Sequence, residues 1–100
     1  MLSKEQCGIL LIDDNEDLLE VLATLLGARG FTPIVARNGL EALEFLEKSP
    51  PPAVILLDLN MPVMDGLEFL ARKVEIPKIA AIPVIIITGN PAQAGQPRHV

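Results

Sequence analysis

Four short apolar segments alternate with segments of helical periodicity, and this alternation is the feature that most constrains the fold. The apolar segments are GILLID (8–13), FTPIVA (31–36), AVILLD (53–58) and PVIIIT (83–88). Between them lie segments with apolar residues spaced three or four apart, at 15–30, 38–49 and 65–74. Strands that alternate with helices form parallel sheets. The chain is therefore expected to fold as an α/β domain with a parallel sheet.

The four predicted strands differ in composition. The first, third and fourth are continuous apolar runs, which is typical of strands buried on both faces of a sheet. The second contains Pro33, which has no N–H to donate and therefore favours an edge position.

The helical segments carry their own start and stop signals. Asn38 and Asp65 are predicted N-caps, and Gly30 is a natural helix end. In the first segment the spacing predicts an inward-facing stripe of four leucines, Leu18, Leu22, Leu25 and Leu26. Leu19 lies beside this stripe. Arg72 and Lys73 are predicted to form a solvated helix end, where positive charge matches the helix dipole.

Composition excludes several classes of function. The net charge is -5 and there is no Trp or Tyr, so direct nucleic-acid binding is not expected. A single cysteine, Cys7, rules out an internal disulfide and favours a cytoplasmic protein. No apolar run approaches membrane-spanning length, so no membrane association is expected.

Acidic residues close two of the buried strands. The first strand ends in Asp13-Asp14, the third in Asp58 and the fourth in Thr88. Parallel strands end at the same edge of a sheet, where ligands bind in open α/β folds. If the first and third strands are neighbours, three carboxylates crowd one small pocket.

Crowded carboxylates indicate a cation and a chemistry. Their repulsion is relieved by a proton or by a metal ion, and Mg²⁺ prefers oxygen ligands together with phosphate oxygens. A carboxylate can also attack a phosphoryl group and form an acyl phosphate. Asp58 is the candidate nucleophile because it stands alone on its strand, and the Thr88 hydroxyl is placed to contact phosphoryl oxygens.

Three stretches resemble the receiver domain of bacterial two-component response regulators. They are ILLIDDNEDLLEVLATLL, VILLDLNMPVMDGLEFL and PVIIITG, within a match from about residue 8 to residue 90. The resemblance implies a flavodoxin-like, doubly wound parallel sheet and a signalling domain rather than an enzyme. It implies that Asp58 is the phosphoacceptor and Thr88 the switch hydroxyl. Asp13, Asp14 and Asp58 would hold Mg²⁺ with the backbone carbonyl of Asn60. The phosphodonor would be a sensor histidine kinase or a phosphotransfer protein.

The sequence departs from the family pattern after the fourth strand. Receivers that it resembles continue with a helix, a fifth strand ending in a phosphoryl-contacting lysine, and a fifth helix, whereas this sequence ends at Val100. We therefore expect an incomplete receiver domain at 1–90 and an irregular tail at 91–100. The expected strand order is 2-1-3-4, lacking the fifth strand and the last two helices.

That topology predicts an uncovered surface. Crossovers between parallel strands are right-handed, so the first helix lies on one face and the second and third on the other. The first helix cannot cover the third and fourth strands on its own face. The fourth strand is also an apolar edge, which invites pairing with another chain. We therefore expect that the chain either associates with another chain, a second copy included, or is marginally stable.

Two functional hypotheses remain open. The first is a phosphoaccepting receiver that uses Asp58. The second is a truncated receiver that docks a partner without being phosphorylated. An aspartate-nucleophile phosphatase ranks last, because its acid/base Asp would stand two residues after Asp58, where this chain has Asn60.

The same residues are compatible with other interpretations. The three acids could be solvated strand ends, with Asp14 capping the first helix. An EF-hand fails because its sixth and twelfth positions hold Leu18 and Thr24, and no P-loop motif is present. Met61 and Met64 are read as loop packing.

Overall fold

The computed structural model describes residues 8–87, which form one four-stranded parallel sheet and three helices. The elements are β1 (Gly8–Ile12), α1 (Glu16–Ala28), β2 (Thr32–Ala36), α2 (Gly39–Lys48), β3 (Val54–Asp58), α3 (Gly66–Lys73) and β4 (Val84–Ile87). The strand order is β2-β1-β3-β4, which confirms the predicted α/β topology and the edge position of β2. Cys7, Thr88 and the predicted tail at 91–100 lie outside the described residues.

Each helix begins at a polar side chain that accepts a backbone N–H three residues later. Asn15, Asn38 and Asp65 accept from Leu18, Glu41 and Glu68 at 3.1, 2.8 and 2.9 Å. Such caps satisfy amides that the first helical turn leaves without partners. The predictions for Asn38 and Asp65 are confirmed, whereas α1 is capped by Asn15 rather than by Asp14. Gly30 follows the end of α1 with φ +91°.

The core has two layers, one on each face of the sheet. On the α2 and α3 face the buried residues include Leu10, Ile12, Leu46, Ile55, Leu57 and Phe69. On the α1 face Ile9 and Leu11 pack with Leu19. The alternating side chains of β1 are thus buried on both faces, as the continuous apolar run predicts.

The inward face of α1 differs from the predicted stripe. Leu19 is buried, with Leu22, Ala23 and Leu26 packed around it, while Leu25 is 54% exposed. The leucines of α1 form two overlapping stripes that share Leu22 and Leu26. The sheet packs against the stripe that contains Leu19 and Ala23. Leu25 then falls on the outer side.

The face of β4 on the α1 side is partly uncovered. Ile85 pairs with Leu56 and therefore faces the α1 layer, yet it is 54% exposed. Leu56 itself is partly buried against α1. Within the described residues the prediction is confirmed for the fourth strand, which α1 leaves partly uncovered. It is wrong for the third strand, because Val54 and Leu56 of β3 pack against the α1 layer.

The prediction of a solvated end of α3 is confirmed for Arg72 and wrong for Lys73. Arg72 is exposed and its Nη2 lies 3.1 Å from Glu68 Oε2. Lys73 is only 4% exposed, and its Nζ donates to the Ala80 carbonyl at 2.8 Å. Lys73 lies one helical turn after buried Phe69, so it faces inward, and the segment 74–83 folds back over it. Burial lowers the pKa of the Lys73 ammonium.

Candidate functional site

Asp13 and Asp58 meet at the carboxyl end of the sheet. Ile12 of β1 pairs with Leu57 of β3, so Asp13 and Asp58 occupy the next position of two adjacent strands. Both are buried, at 3% and 6% exposure, and Asp14 beside them is exposed. One carboxylate oxygen from each of the three acids lies within 4.8 Å of the others. The predicted convergence of Asp13, Asp14 and Asp58 is confirmed as geometry.

The backbone around Asp13 fixes its side chain. Its N–H donates to the Ala36 carbonyl at the end of β2, at 3.1 Å. Its Oδ1 accepts the Asn15 N–H at 2.9 Å, where Asn15 is the cap of α1. One carboxylate oxygen is therefore committed to the turn, and Asp13 is held between β2 and the start of α1.

Asp58 is held by the loop that follows it. Its Oδ1 accepts the Asn60 N–H at 3.2 Å. The Gly66 N–H donates to the Leu59 carbonyl at 3.1 Å, which closes the loop onto the start of α3. A Cβ at Gly66 would lie 2.6 Å from the Asp58 carbonyl oxygen, so only glycine fits there without displacing that backbone.

The electrostatics of the site disfavour three free negative charges. Burial raises the pKa of the Asp58 carboxyl above its usual value, and the charges of Asp13 and Asp14 raise it further, while the Asn60 N–H acts against this rise. Among residues 8–87, the side-chain ion pairs join Arg37 to Glu16 and Glu41 and Arg72 to Glu68, so none involves the three acids. A cation from outside the chain would relieve the repulsion.

The donor set suits a small hard cation. All three side-chain donors are carboxylate oxygens, which Mg²⁺ prefers. One oxygen from each of the three acids lies within 4.8 Å of the others, so a single cation can reach all three side chains. The residues present therefore fit Mg²⁺.

The remaining predicted site residues have different outcomes. Asn60 lies in the loop directly after β3, and its backbone N–H contacts Asp58. Thr88 lies outside the described residues; the residue before it, Ile87, pairs with Asp58 across β3 and β4. Met61 and Met64 are buried in the core, which confirms loop packing.

Two residues beside the site were not indicated by the sequence pattern. Arg37 follows β2, and its Nε donates to Glu16 Oε1 at 2.7 Å while its N–H donates to Glu41 Oε1 at 3.1 Å. It thereby links the starts of α1 and α2. The sequence feature that could have indicated Arg37 is its position directly after the second strand. Gly66 stands in the quoted motif, but only the structure shows its contact with the Asp58 backbone.

Within the part of the chain that the structure describes, no helix is both long and apolar enough to cross a membrane.

Comparison with known proteins points in one direction. The profile of the response regulator receiver domain matches residues 9–96. A transcriptional regulatory protein CpxR homolog from Haemophilus influenzae is 44% identical over 82 residues, which cover 82% of this chain and 34% of that protein. The chain therefore spans about a third of the length of this relative.

Solved structures agree with the sequence match. The N-terminal domain of a response regulator receiver protein from Methanoculleus marisnigri superposes with a TM-score of 0.78 at 40% identity, covering 84% of this chain and 68% of that one. A phosphorylated cyanobacterial phytochrome response regulator, RcpA, gives a TM-score of 0.78 at 28% identity, covering 89% and 69%. The shared fold is the flavodoxin-like, doubly wound sheet.

Proposed function

Because the chain belongs to the response regulator receiver domain family, we propose that it is a phosphoaccepting signalling domain whose acceptor is Asp58. The observation that carries the proposal is the buried Asp58 carboxylate, with Asp13 and Asp14 oxygens within 4.8 Å, at the carboxyl end of the sheet. The donor would be a sensor histidine kinase or a phosphotransfer protein. The likeness to a phosphorylated response regulator supports this assignment.

The proposed reaction is an in-line phosphoryl transfer. An Asp58 carboxylate oxygen attacks the phosphorus atom of a phosphohistidine. The new O–P bond forms as the bond from phosphorus to the donor nitrogen breaks, and that nitrogen leaves with the electron pair. The Asn60 N–H, bound to Asp58 Oδ1, orients the carboxylate and leaves its other oxygen for attack.

Asp13, Asp14, Asp58 and the Asn60 carbonyl are the proposed Mg²⁺ ligands. Mg²⁺ bound there supplies positive charge to the acids and to the phosphoryl oxygens. Asp13 is already oriented by Asn15, and exposed Asp14 is open to solvent ligands. Thr88 is proposed to donate its hydroxyl to a phosphoryl oxygen. Acceptance of the phosphoryl group makes the chain a switch rather than an enzyme, and we propose a cytoplasmic location for the exchange.

The proposal is tested by the intact mass of the purified chain after incubation with Mg²⁺ and acetyl phosphate. The expected result is a gain of one phosphoryl group, absent in Asp58→Asn and absent when Mg²⁺ is chelated. Asp17→Asn is the matched control, since Asp17 is an exposed acid in the first turn of α1. A wild-type chain that is folded and binds Mg²⁺ but gains no mass would overturn the proposal.

A second candidate function is a docking module that binds a partner without phosphorylation. The exposed Ile85 on the uncovered side of β4 favours it, because an apolar edge strand is a surface for another chain. This function predicts that partner binding is unchanged in Asp58→Asn. The receiver function predicts that binding responds to phosphorylation and that Asp58→Asn abolishes the response.

A further inference from the structure

The loop that follows Asp58 (residues 59–65, the acid-site loop) is tied together by its own backbone. The Asn60 N–H donates to Asp58 Oδ1 at 3.2 Å, the Met64 N–H donates to the Pro62 carbonyl at 2.8 Å, and Gly66 closes onto Leu59 at 3.1 Å. Met64 therefore lies four residues from Asn60 in a short loop that is closed by hydrogen bonds at both ends, and the Asn60 N–H contacts the acceptor carboxylate.

The start of α2 contacts the same loop. The Gly39 N–H donates to the Met64 carbonyl at 3.0 Å. A Cβ at position 39 would lie 2.8 Å from Met64 Cγ and 2.9 Å from its carbonyl oxygen, shorter than Cβ contacts in real proteins. The Met64 side chain is buried in the core and cannot swing away freely. Only glycine allows this approach, which is called here the Gly39–Met64 contact.

The loop takes an uncommon path beside this contact. Val63 has φ +68°, a left-handed conformation that β-branched residues rarely adopt. Its side chain is 75% exposed, so its own packing does not hold the conformation. Such a conformation persists when the surroundings impose it. Three adjacent restraints impose it. The Met64 N–H donates to the Pro62 carbonyl across Val63, the Met64 side chain is buried, and the Met64 carbonyl accepts from Gly39.

We infer that Gly39 is a positioning residue for the acid site. The Gly39 N–H binds the Met64 carbonyl, and the absence of a side chain at position 39 leaves room for this close contact. The contact fixes the acid-site loop and thereby positions the Asn60 N–H against Asp58. The expected effects on Mg²⁺ binding and phosphorylation rest on the proposed function. The expected effect on the Asn60 N–H does not, because it is measured on the metal-free protein.

Gly39→Ala tests the contact from the helix side. The matched control is Gly27→Ala, which makes the same change in α1 where a Cβ meets nothing within 4 Å. In metal-free protein, hydrogen exchange of the Asn60 amide is measured by NMR and corrected for any change in global stability. We expect Gly39→Ala to speed this exchange severalfold and Gly27→Ala to leave it unchanged.

Val63 tests the contact from the loop side, at an exposed position that leaves the core intact should Gly39→Ala fail to fold. Val63→Pro forces φ to about -65° and so moves the Met64 carbonyl away from Gly39. Val63→Gly keeps the left-handed path available. We expect faster Asn60 exchange in Val63→Pro and wild-type exchange in Val63→Gly.

Mg²⁺ affinity and the rate of phosphorylation by acetyl phosphate are measured on the same proteins. Loss of an outer support of a metal site weakens binding by roughly tenfold or more, and we expect that loss in Gly39→Ala and Val63→Pro only. Unchanged Asn60 exchange in both variants would overturn the inference, whatever Mg²⁺ does. If wild type takes neither Mg²⁺ nor a phosphoryl group while Asn60 exchange still responds, the proposed function fails and Gly39 stands as the residue that positions the Asp58–Asn60 turn.

Discussion

Asp58 lies beside Asp13 because β1 and β3 pair in parallel with Ile12 opposite Leu57. Two buried carboxylates thus share one sheet edge, with Asp14 close by. In the absence of a cation this arrangement opposes folding, since burial and like charges both raise the pKa of Asp58. The same arrangement makes the site attractive to a divalent ion. Stability measured with and without metal therefore reports directly on the site.

Asp58→Asn is expected to stabilise the metal-free protein at neutral pH. The folded-state pKa of Asp58 is raised, so ionisation costs stability in the folded chain. This cost is absent below the unfolded-state pKa of about 3.9. It is fully present above the folded-state pKa. The gain from Asp58→Asn should therefore appear as pH rises from about 3.9 through the folded-state pKa. Thermal unfolding in EDTA measures it, with exposed Glu44→Gln as control. A variant less stable than wild type at pH 7 would contradict the crowding argument.

Mg²⁺ is expected to raise the melting temperature of wild type. A ligand that binds only the folded state stabilises by about 2.7 kcal/mol at one hundred times its dissociation constant. Asp13→Asn should lose most of this effect because Asp13 is a buried member of the acid cluster. Asp17→Asn, at an exposed acid of α1, should keep it. Equal Mg²⁺ shifts in the two variants would show that the ion binds elsewhere.

Gly66→Ala is expected to destabilise the fold, because the added Cβ would lie 2.6 Å from the Asp58 carbonyl oxygen and 2.7 Å from Leu59 Cα. Both atoms are backbone and move only with the strand end. Overpacking of this kind costs about 1–3 kcal/mol. Urea unfolding provides the measurement. Gly27→Ala is the matched control and should be neutral or stabilising, since alanine favours a helix over glycine by about 1 kcal/mol.

Lys73→Met tests the buried lysine through its pH dependence. Burial lowers the folded-state pKa of Lys73 below its value of 10.5. The charged form is penalised below the folded-state pKa, and the penalty disappears as pH rises towards 10.5. Wild type should therefore gain stability relative to Lys73→Met over this alkaline range.

Exposed Lys48 supplies the comparison for this experiment, because Lys48→Met removes the same charge from the end of α2. Chemical denaturation at several pH values gives both curves. Parallel curves for the two variants would mean that Lys73 is solvated in solution.

The acid site could be predicted from the sequence because its members occupy strand ends. Asp13 and Asp58 each follow a continuous apolar run, and parallel strands bring such positions to one edge. Helix starts were equally local, since the caps Asn38 and Asp65 bond within three residues. These features depend on short-range patterns that one segment contains.

The features that sequence patterns did not reveal depend on contacts between distant segments. Lys73 is buried because the segment after α3 returns over it and offers the Ala80 carbonyl. Leu25 faces outward because α1 carries two overlapping leucine stripes, and the sheet packs against the one that lacks Leu25. The Gly39–Met64 contact joins α2 to a loop 25 residues later in the sequence. No local pattern encodes these pairings.

Self-association through β4 is expected to depend on Ile85, which is exposed on the side that α1 leaves uncovered. A lysine on an edge strand blocks pairing with another chain, since its charge must stay in water. Ile85→Lys should therefore weaken self-association at least tenfold, about 1.4 kcal/mol. Sedimentation velocity over a concentration series measures it. Val21→Lys makes the same change on exposed α1 and should leave association unchanged. A wild-type chain that stays monomeric at high concentration would contradict this prediction, because the apolar side of β4 would then remain exposed to water without pairing with a second copy.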